Sequence, residues 1–231
     1  MEIDPAALEA SERYKLLIGG IVPRPIAVVG TCAPDGSSVN LAPFSFFAGA
    51  GSNPMSLLFC PANRDDGGEK DSLRNAKPVA EGGQGEFTVS VAGEEILRRV
   101  VAAAETLPYG ESEFALSGLT PRASARVRPP GVAESPLTFE CVTRHVLRLG
   151  PGRHGGGNVV VGEVVHVHAR DGVVNERFHV DPALLAAVGR MGGLTYCGTG
   201  DRFEVPWGVK ALAAGAAAPF DGRGAGPHRG A

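Results

Sequence analysis

Apolar residues in this chain fall into short runs divided by turn-forming residues, and few runs are long enough for a helix. "RPIAVVGT" (24–31) is rich in β-branched residues, and "APDG" (33–36) holds the Pro, Asp and Gly that close a turn. "SSVNLAPFSFF" (37–47) and "PMSLLFCPA" (54–62) read as the next two strands, and "EFTVSVAG" (86–93) as another. Two longer runs, "PLTFECVTRHVLRLG" (136–150) and "NVVVGEVVHVHARDGVV" (158–174), flank "PGRHGGG", which would make a hairpin of them. Helical spacing is rarer. Asp4 and Pro5 suit an N-cap and first helical position for a helix through about Leu17, and "DPALLAAVGR" (181–190) repeats that start. "NRDDGGEKDSLRNAK" (63–77) is a polar loop entering a short helix capped by Asp71 or Ser72. "EEILRRVVAAAETL" (94–107) places Ile96, Val100 and Ala103 on one face. Residues 108–136 read as a long irregular excursion, a length at which loops often carry function. Six or so strands, local hairpins and no regular βαβ alternation indicate an antiparallel barrel with helical additions rather than a doubly wound fold.

Composition narrows the classes. The chain has 231 residues, 43% hydrophobic and 20% charged, which suits one sizeable domain over residues 1–207 followed by a Gly/Ala-rich, flexible tail over 208–231. A formal net charge of −3 gives no basic excess for a phosphate backbone, which argues against nucleic acid as a partner. The N-terminal segment is acidic and amphipathic, not a signal peptide, and no apolar run suits a membrane span. The four cysteines, at 32, 60, 141 and 197, form no CxxC pair; a cytoplasmic protein with reduced thiols is expected.

Four places carry candidate chemistry. On a strand, Asn40, Ala42, Phe44 and Phe46 share one face while Leu41, Pro43, Ser45 and Phe47 share the other. Pro43 lacks a backbone donor, so this is either an edge strand guarded by Pro or a strand whose backbone faces a planar, polar-edged ligand. "GGEKDSLRN" (67–75) assembles a cation (Lys70), a hydroxyl (Ser72) and a helix start, the inventory of an anion site, or else a solvated capping turn. It lacks the GxxxxGK[ST] spacing of a Walker A loop. His166 and His168 share a face, yet no carboxylate or Cys at ligand spacing completes a metal site. Arg190 precedes a Gly pair and suits phosphate or carboxylate, or an exposed C-cap. Cys60 and Cys141 lie in strand patterns, where inert buried thiols are the default.

Taken in order, "RPIAVVGT", "DGSSVNLAPFSFF", "NPMSLLFC", "KDSLRN", "EFTVSV", "EFALSGLTP", "VRPPGVAESPLTFEC", "GEVVHVHARDGVV" and "GRMGGLTY" resemble the flavin reductase-like family with an FMN-binding split β-barrel, across roughly residues 12–200. The resemblance implies a mainly β, antiparallel, Greek-key-like split barrel with short flanking helices. It implies that Asn40, Leu41 and Ala42 meet the isoalloxazine edge or ribityl chain, Ser45 the ribityl or phosphate, and that Cys60 and Pro61 lie along the same pocket. Lys70, Asp71 and Ser72 would sit at the phosphate, with Arg24 and Arg190 as further contacts and His168 touching flavin or substrate. It further implies a homodimer and hydride transfer from NAD(P)H to FMN, supplying reduced flavin to a separate monooxygenase. The rivals are a flavoenzyme acting on its own substrate and a non-catalytic flavin carrier. No GxGxxG is present, so nicotinamide would stack on the flavin rather than sit in a Rossmann domain. Two departures stand out: Ser72 where Thr is usual, and a glycine-rich "FFAGAGSNP" (46–54) that would loosen the segment beside the flavin.

Overall fold

A computed structural model describes residues 1–213 and 218–219. Its centre is a seven-stranded antiparallel sheet ordered β3-β2-β6-β9-β10-β5-β4. These strands are β2 (Ala27–Cys32), β3 (Val39–Phe44), β4 (Phe47–Ser52), β5 (Met55–Phe59), β6 (Glu86–Val91), β9 (Leu137–Arg148) and β10 (Asn158–Ala169). β1 (Arg24–Pro25), β11 (Val188–Arg190) and β12 (Tyr196–Gly198) make a second small sheet, ordered β1-β11-β12. Two short pairs complete the strands: β7 (Pro121–Arg122) with β8 (Gly131–Val132), and β13 (Phe203–Glu204) with β14 (Ala218–Pro219). The helices are α1 (Ala10–Gly20), α2 (Asp71–Ala76), α3 (Leu97–Ala102), α4 (Glu113–Ser117) and α5 (Pro182–Leu185).

β3 and β4 are consecutive in the chain yet form the two opposite edges of the large sheet. The bend at Ser45 and Phe46 carries the chain from one edge to the other, so the sheet curls into a barrel that no ladder closes. That is the split barrel expected. β2 explains why "RPIAVVGT" shows no alternation: every residue from Ala27 to Cys32 is buried, because both faces of the strand are covered. Val28, with Ile26 and Leu41, packs against Ile96, Val100 and Ala103 around α3 and against Phe114 of α4. Ala27 and Val29 face the barrel interior with Phe44, Leu57, Phe59, Phe87 and Val160. Phe59 stacks between Phe44 and Phe87, with centroids 5.2 and 5.1 Å away. Each such ring contributes about 1.5–3 kcal/mol by burial. Gly162 of β10 gives Phe87 its room: a Cβ there would lie 2.4 Å from the ring. Leu73 and Ala76 of α2 also enter this inner core, which docks the "KDSLRN" segment beside β3.

Several boundaries differ from the sequence reading. The glycine-rich 46–54 segment is not loose: "FAGAGS" forms β4, an edge strand paired with β5 from Phe47↔Phe59 to Ser52↔Met55. Asp4 caps only a 3-10 turn, Pro5–Ala7; α1 begins after Glu9, which forms a capping box with Glu12. Lys70, not Asp71 or Ser72, is the N-cap of α2, and it makes no side-chain cap bond. The excursion at 108–136 contains α4 and the β7–β8 pair. The expected tail at 208–231 lies mostly outside the described residues; within it, Gly208–Leu212 forms a 3-10 helix. Among the described residues no helix is long and apolar enough to cross a membrane.

Candidate functional site

The site is built along the open side of β3. Leu41 N–H bonds the carboxylate of Glu113 at 2.9 Å rather than β2, although Leu41 stands opposite Gly30 of β2. Leu41 is therefore a non-hydrogen-bonded ladder position, and so are Val39 and Pro43, two residues to either side. Pro43 stands opposite Val28 at such a position, so its missing donor costs the β2 ladder nothing. β3 is thus an edge strand with Pro43 on its open side, which fits both alternatives that the sequence left open. From Leu41 to Pro43 the open edge offers backbone acceptors and no free donor, because Leu41 N–H is engaged and Pro43 has none.

A cleft of about 480 Å³ runs along this edge, lined by Asn40, Ala42, Pro43 and Phe44 on one side and by Arg64, Lys70, Asp71 and Ser72 on another. Residues 103–107, which follow α3, and Glu113 of α4 form its remaining wall. Asn40 and Ser72 are both buried and joined, Asn40 Nδ2 donating to Ser72 Oγ at 3.1 Å. The hydroxyl proton of Ser72 stays available to a ligand. Lys70 is exposed and forms no ion pair among the described residues, whereas Asp71 is held by Arg64. α2 has only six residues, so the cations and the Ser72 hydroxyl, rather than a helix dipole, supply the attraction for an anion. Glu113 is buried with 6% exposure, and that burial raises its carboxyl above the ordinary range despite the Leu41 N–H bond; Asp71 pushes it further up.

A second, smaller cleft of about 90 Å³ adjoins the first and shares Pro43 and Ala104 with it. Its wall is mostly apolar (Ile26, Val100, Val101) with Ser45, Arg190 and Tyr196 as the polar members. Arg24 lies behind it, only 3% exposed. Its Nε donates to Ser45 Oγ at 3.3 Å, Nη1 to the carbonyls of Ile18 and Ile21 at the end of α1, and Nη2 to Met191 O. Arg190 stands directly opposite Arg24 in the β1–β11 pair; its Nη1 donates to Tyr196 Oη at 2.6 Å and its Nη2 to Gly193 O at 3.0 Å.

Asn40, Ala42, Ser45, Lys70, Asp71, Ser72 and Arg190 are thus brought to one continuous surface, and Arg24 stands one hydrogen bond behind it. Leu41 is present, but its side chain belongs to the core and its N–H to Glu113. Cys60 and Pro61 line neither cleft. Cys60 N–H bonds Phe46 O, and burial raises its thiol, while Pro61 O accepts from Asn158. His168 lies elsewhere in this chain, beside Arg122 and His166, where burial first and the charge of Arg122 second hold its imidazole below the usual range. Sequence reasoning passed over Arg64, Glu113 and Tyr196. Arg64 was within reach, six residues before Lys70 in the same polar loop. Glu113 was not, because its partner Leu41 is 72 residues away.

Comparison with known proteins agrees with this architecture. Residues 19–195 match the model of the flavin reductase like domain. An uncharacterized protein of Deinococcus radiodurans is 39% identical over 208 residues, 87% of each chain. The crystal structure of nitrilotriacetate monooxygenase component B from Bacillus cereus is 31% identical and superposes with a TM-score of 0.81, covering 89% of this chain and 98% of that one. That of 2-nitrobenzoate 2-nitroreductase from Pseudomonas fluorescens is 26% identical, with a TM-score of 0.78 over 93% of this chain and 100% of that one. A match across most of the chain, carried on the same split barrel, makes this protein a member of the flavin reductase-like family.

Proposed function

We propose that the chain binds FMN along β3, with its phosphate at Arg64, Lys70 and Ser72 and its ring toward Ser45 and Arg190, and reduces it with hydride from NAD(P)H. The observation that carries this reading is one edge strand joining two unlike clefts through a shared wall of Pro43 and Ala104. The larger holds two cations and a hydroxyl whose proton is free, a donor set for a phosphate monoester. The smaller is apolar with a few polar groups, as a planar ring requires. The edge between them presents backbone acceptors to ribityl hydroxyls. FMN, when bound, supplies the redox chemistry. The protein's own residues bind and orient it and exclude water, and no side chain is required as acid or base.

The smaller cleft is too shallow to enclose a three-ring flavin. A second copy of the chain completes the cover in this reading. The exposed β4 strand, Val165 and Val167 of β10, and the apolar side chains of α1, none of them buried, supply the surface for it. Reduced flavin then passes to a recipient such as a flavin-dependent monooxygenase, a role consistent with the similarity to a monooxygenase component.

Anaerobic mixing of the protein with FMN and NADH or NADPH tests the reaction: bleaching of the flavin absorbance is expected with at least one donor. No bleaching with either donor overturns it. Replacing Lys70 and Ser72 together by Ala should weaken FMN binding by about 3 kcal/mol or more, at about 1.5–3 kcal/mol per charge-assisted contact, and leave riboflavin binding nearly unchanged. Equal loss for both ligands would place the phosphate elsewhere. A light-scattering mass near the 23.8 kDa of one chain would contradict the dimer.

A further inference from the structure

The geometry points to a selective role for the Arg24–Arg190 pair: it makes the smaller cleft favour the reduced, anionic form of the flavin over the oxidised form. This rests on the reading that FMN binds along β3.

Two arginines face each other across the β1–β11 pair, and among the described residues neither forms an ion pair with a carboxylate. Arg24 is buried, and its four acceptors are neutral: Ser45 Oγ and the carbonyls of Ile18, Ile21 and Met191. The carbonyls at the end of α1 bring a partial negative charge, which offsets the guanidinium in part and does not cancel it. A charge held this way in a low-dielectric setting acts over a longer range than one in water.

Each arginine also works through a hydroxyl. Arg24 Nε donates to Ser45 Oγ, and Arg190 Nη1 donates to Tyr196 Oη. Both oxygens are occupied as acceptors by a guanidinium, which directs their own protons away from the arginines. Neither hydroxyl donates to another group among the described residues, and both line the smaller cleft. A hydroxyl that accepts from a cation is a stronger donor than a lone one. The cleft therefore presents two polarised donors, backed by two positive charges, to whatever ring edge meets it. Oxidised flavin is neutral in its ring at neutral pH. The two-electron reduced ring carries a negative charge centred on its pyrimidine side. Only the reduced form gains fully from this arrangement.

Tighter binding of the reduced form is the same statement as a raised potential for bound flavin. Hydride uptake becomes more favourable and release of reduced flavin less so. The chain would then deliver its electrons from bound flavin, or hand reduced flavin over on contact with the recipient, rather than release it into solution.

The test compares dissociation constants for oxidised FMN and for FMN reduced anaerobically, measured on the whole protein, together with the midpoint potential of the bound flavin. Arg190→Gln should weaken reduced FMN at least tenfold more than oxidised FMN, a drop of ~30 mV for a two-electron couple. Arg24→Gln should act in the same direction, and Arg24→Lys should retain most of the preference. Arg24 is buried, so its variants are read only if circular dichroism shows them folded; Arg190, on the cleft wall, carries the test regardless. Loss of affinity equal for the two redox states, or an unmoved potential in Arg190→Gln, overturns the inference and leaves FMN binding standing. Failure of the unaltered chain to bind FMN in either state removes both.

Discussion

The two ends of the β3 cleft carry similar numbers of cations and use them differently. At the Lys70 end, Arg64 is paired with Asp71, and Asp65, Asp66 and Glu105 also line the wall, so the positive charges stand among acids near solvent. At the Arg190 end no carboxylate among the described residues pairs with either arginine, and one of the two is buried in a web of carbonyls. The first arrangement suits a ligand group that brings its own double charge and must enter from water. The second suits a group whose charge appears only after it is seated. Placement, more than the count of charged residues, decides which task a cation can perform.

The largest expected difference between the ends is in stability. Arg24→Ala deletes four part-buried hydrogen bonds; at a net value of about 0.5–1.5 kcal/mol each, the loss should reach about 2 kcal/mol or more. Arg64→Ala removes a partly exposed pair and should cost under about 1 kcal/mol. Urea midpoints of the two variants check this. A larger loss for Arg64 would show that the ring end is not the more deeply built of the two. Ligand binding should reverse the ranking in one respect. Arg64→Ala should weaken FMN by about 1.5–3 kcal/mol, roughly ten- to hundredfold, with riboflavin almost unaffected. Titration of both flavins by fluorescence quenching reads this directly.

Legibility in the sequence divides along similar lines. The β9–β10 hairpin was plain, because two long β-branched runs flank a glycine-rich loop and pair as neighbours. The Lys70–Ser72 segment was legible because its residues are consecutive and chemically complete. β4 was hidden: "FAGAGS" has no branched residue, and its strand state comes from pairing with β5 rather than from propensity. Arg24 could be named as a contact but not understood, since its acceptors come from α1, the bend after β3 and the turn after β11. His168 is the opposite case. The histidine is real and on a strand, but the strand carries it to Arg122 and away from the clefts. Local patterns revealed elements, and only the closure of the barrel decided which of them meet.

Glu113, on the wall of the larger cleft, sharpens the comparison. Its burial raises its pKa, so the folded state favours the protonated carboxyl more than the unfolded chain does. That contribution to stability is complete below the ordinary glutamate pKa and is lost as pH rises through the raised folded value. Glu113→Gln keeps an oxygen to accept from Leu41 N–H and removes the titration. Its stability relative to the unaltered protein should therefore improve as pH rises from acid to neutral. Urea midpoints between pH 4 and 7 test the sign. A difference independent of pH would mean that Glu113 is solvated like a surface carboxylate, leaving the open edge of β3 without its buried acceptor.

The smallest effect separates charge from hydrogen bonding at the ring end. Tyr196→Phe keeps Arg190 and the aromatic face beneath its guanidinium, 4.8 Å from the ring centroid, and deletes only the hydroxyl. Stability should change by about 0.5–1.5 kcal/mol, the net value of one hydrogen bond. If the two hydroxyls are the route by which the arginines reach the ligand, the variant should lose part of the preference for reduced FMN, less than Arg190→Gln loses. If charge alone acts, Tyr196→Phe should leave the ratio of reduced to oxidised affinity where it was while Arg190→Gln lowers it. Measuring the two variants side by side, in the same anaerobic titration, distinguishes a polarised hydroxyl from a field.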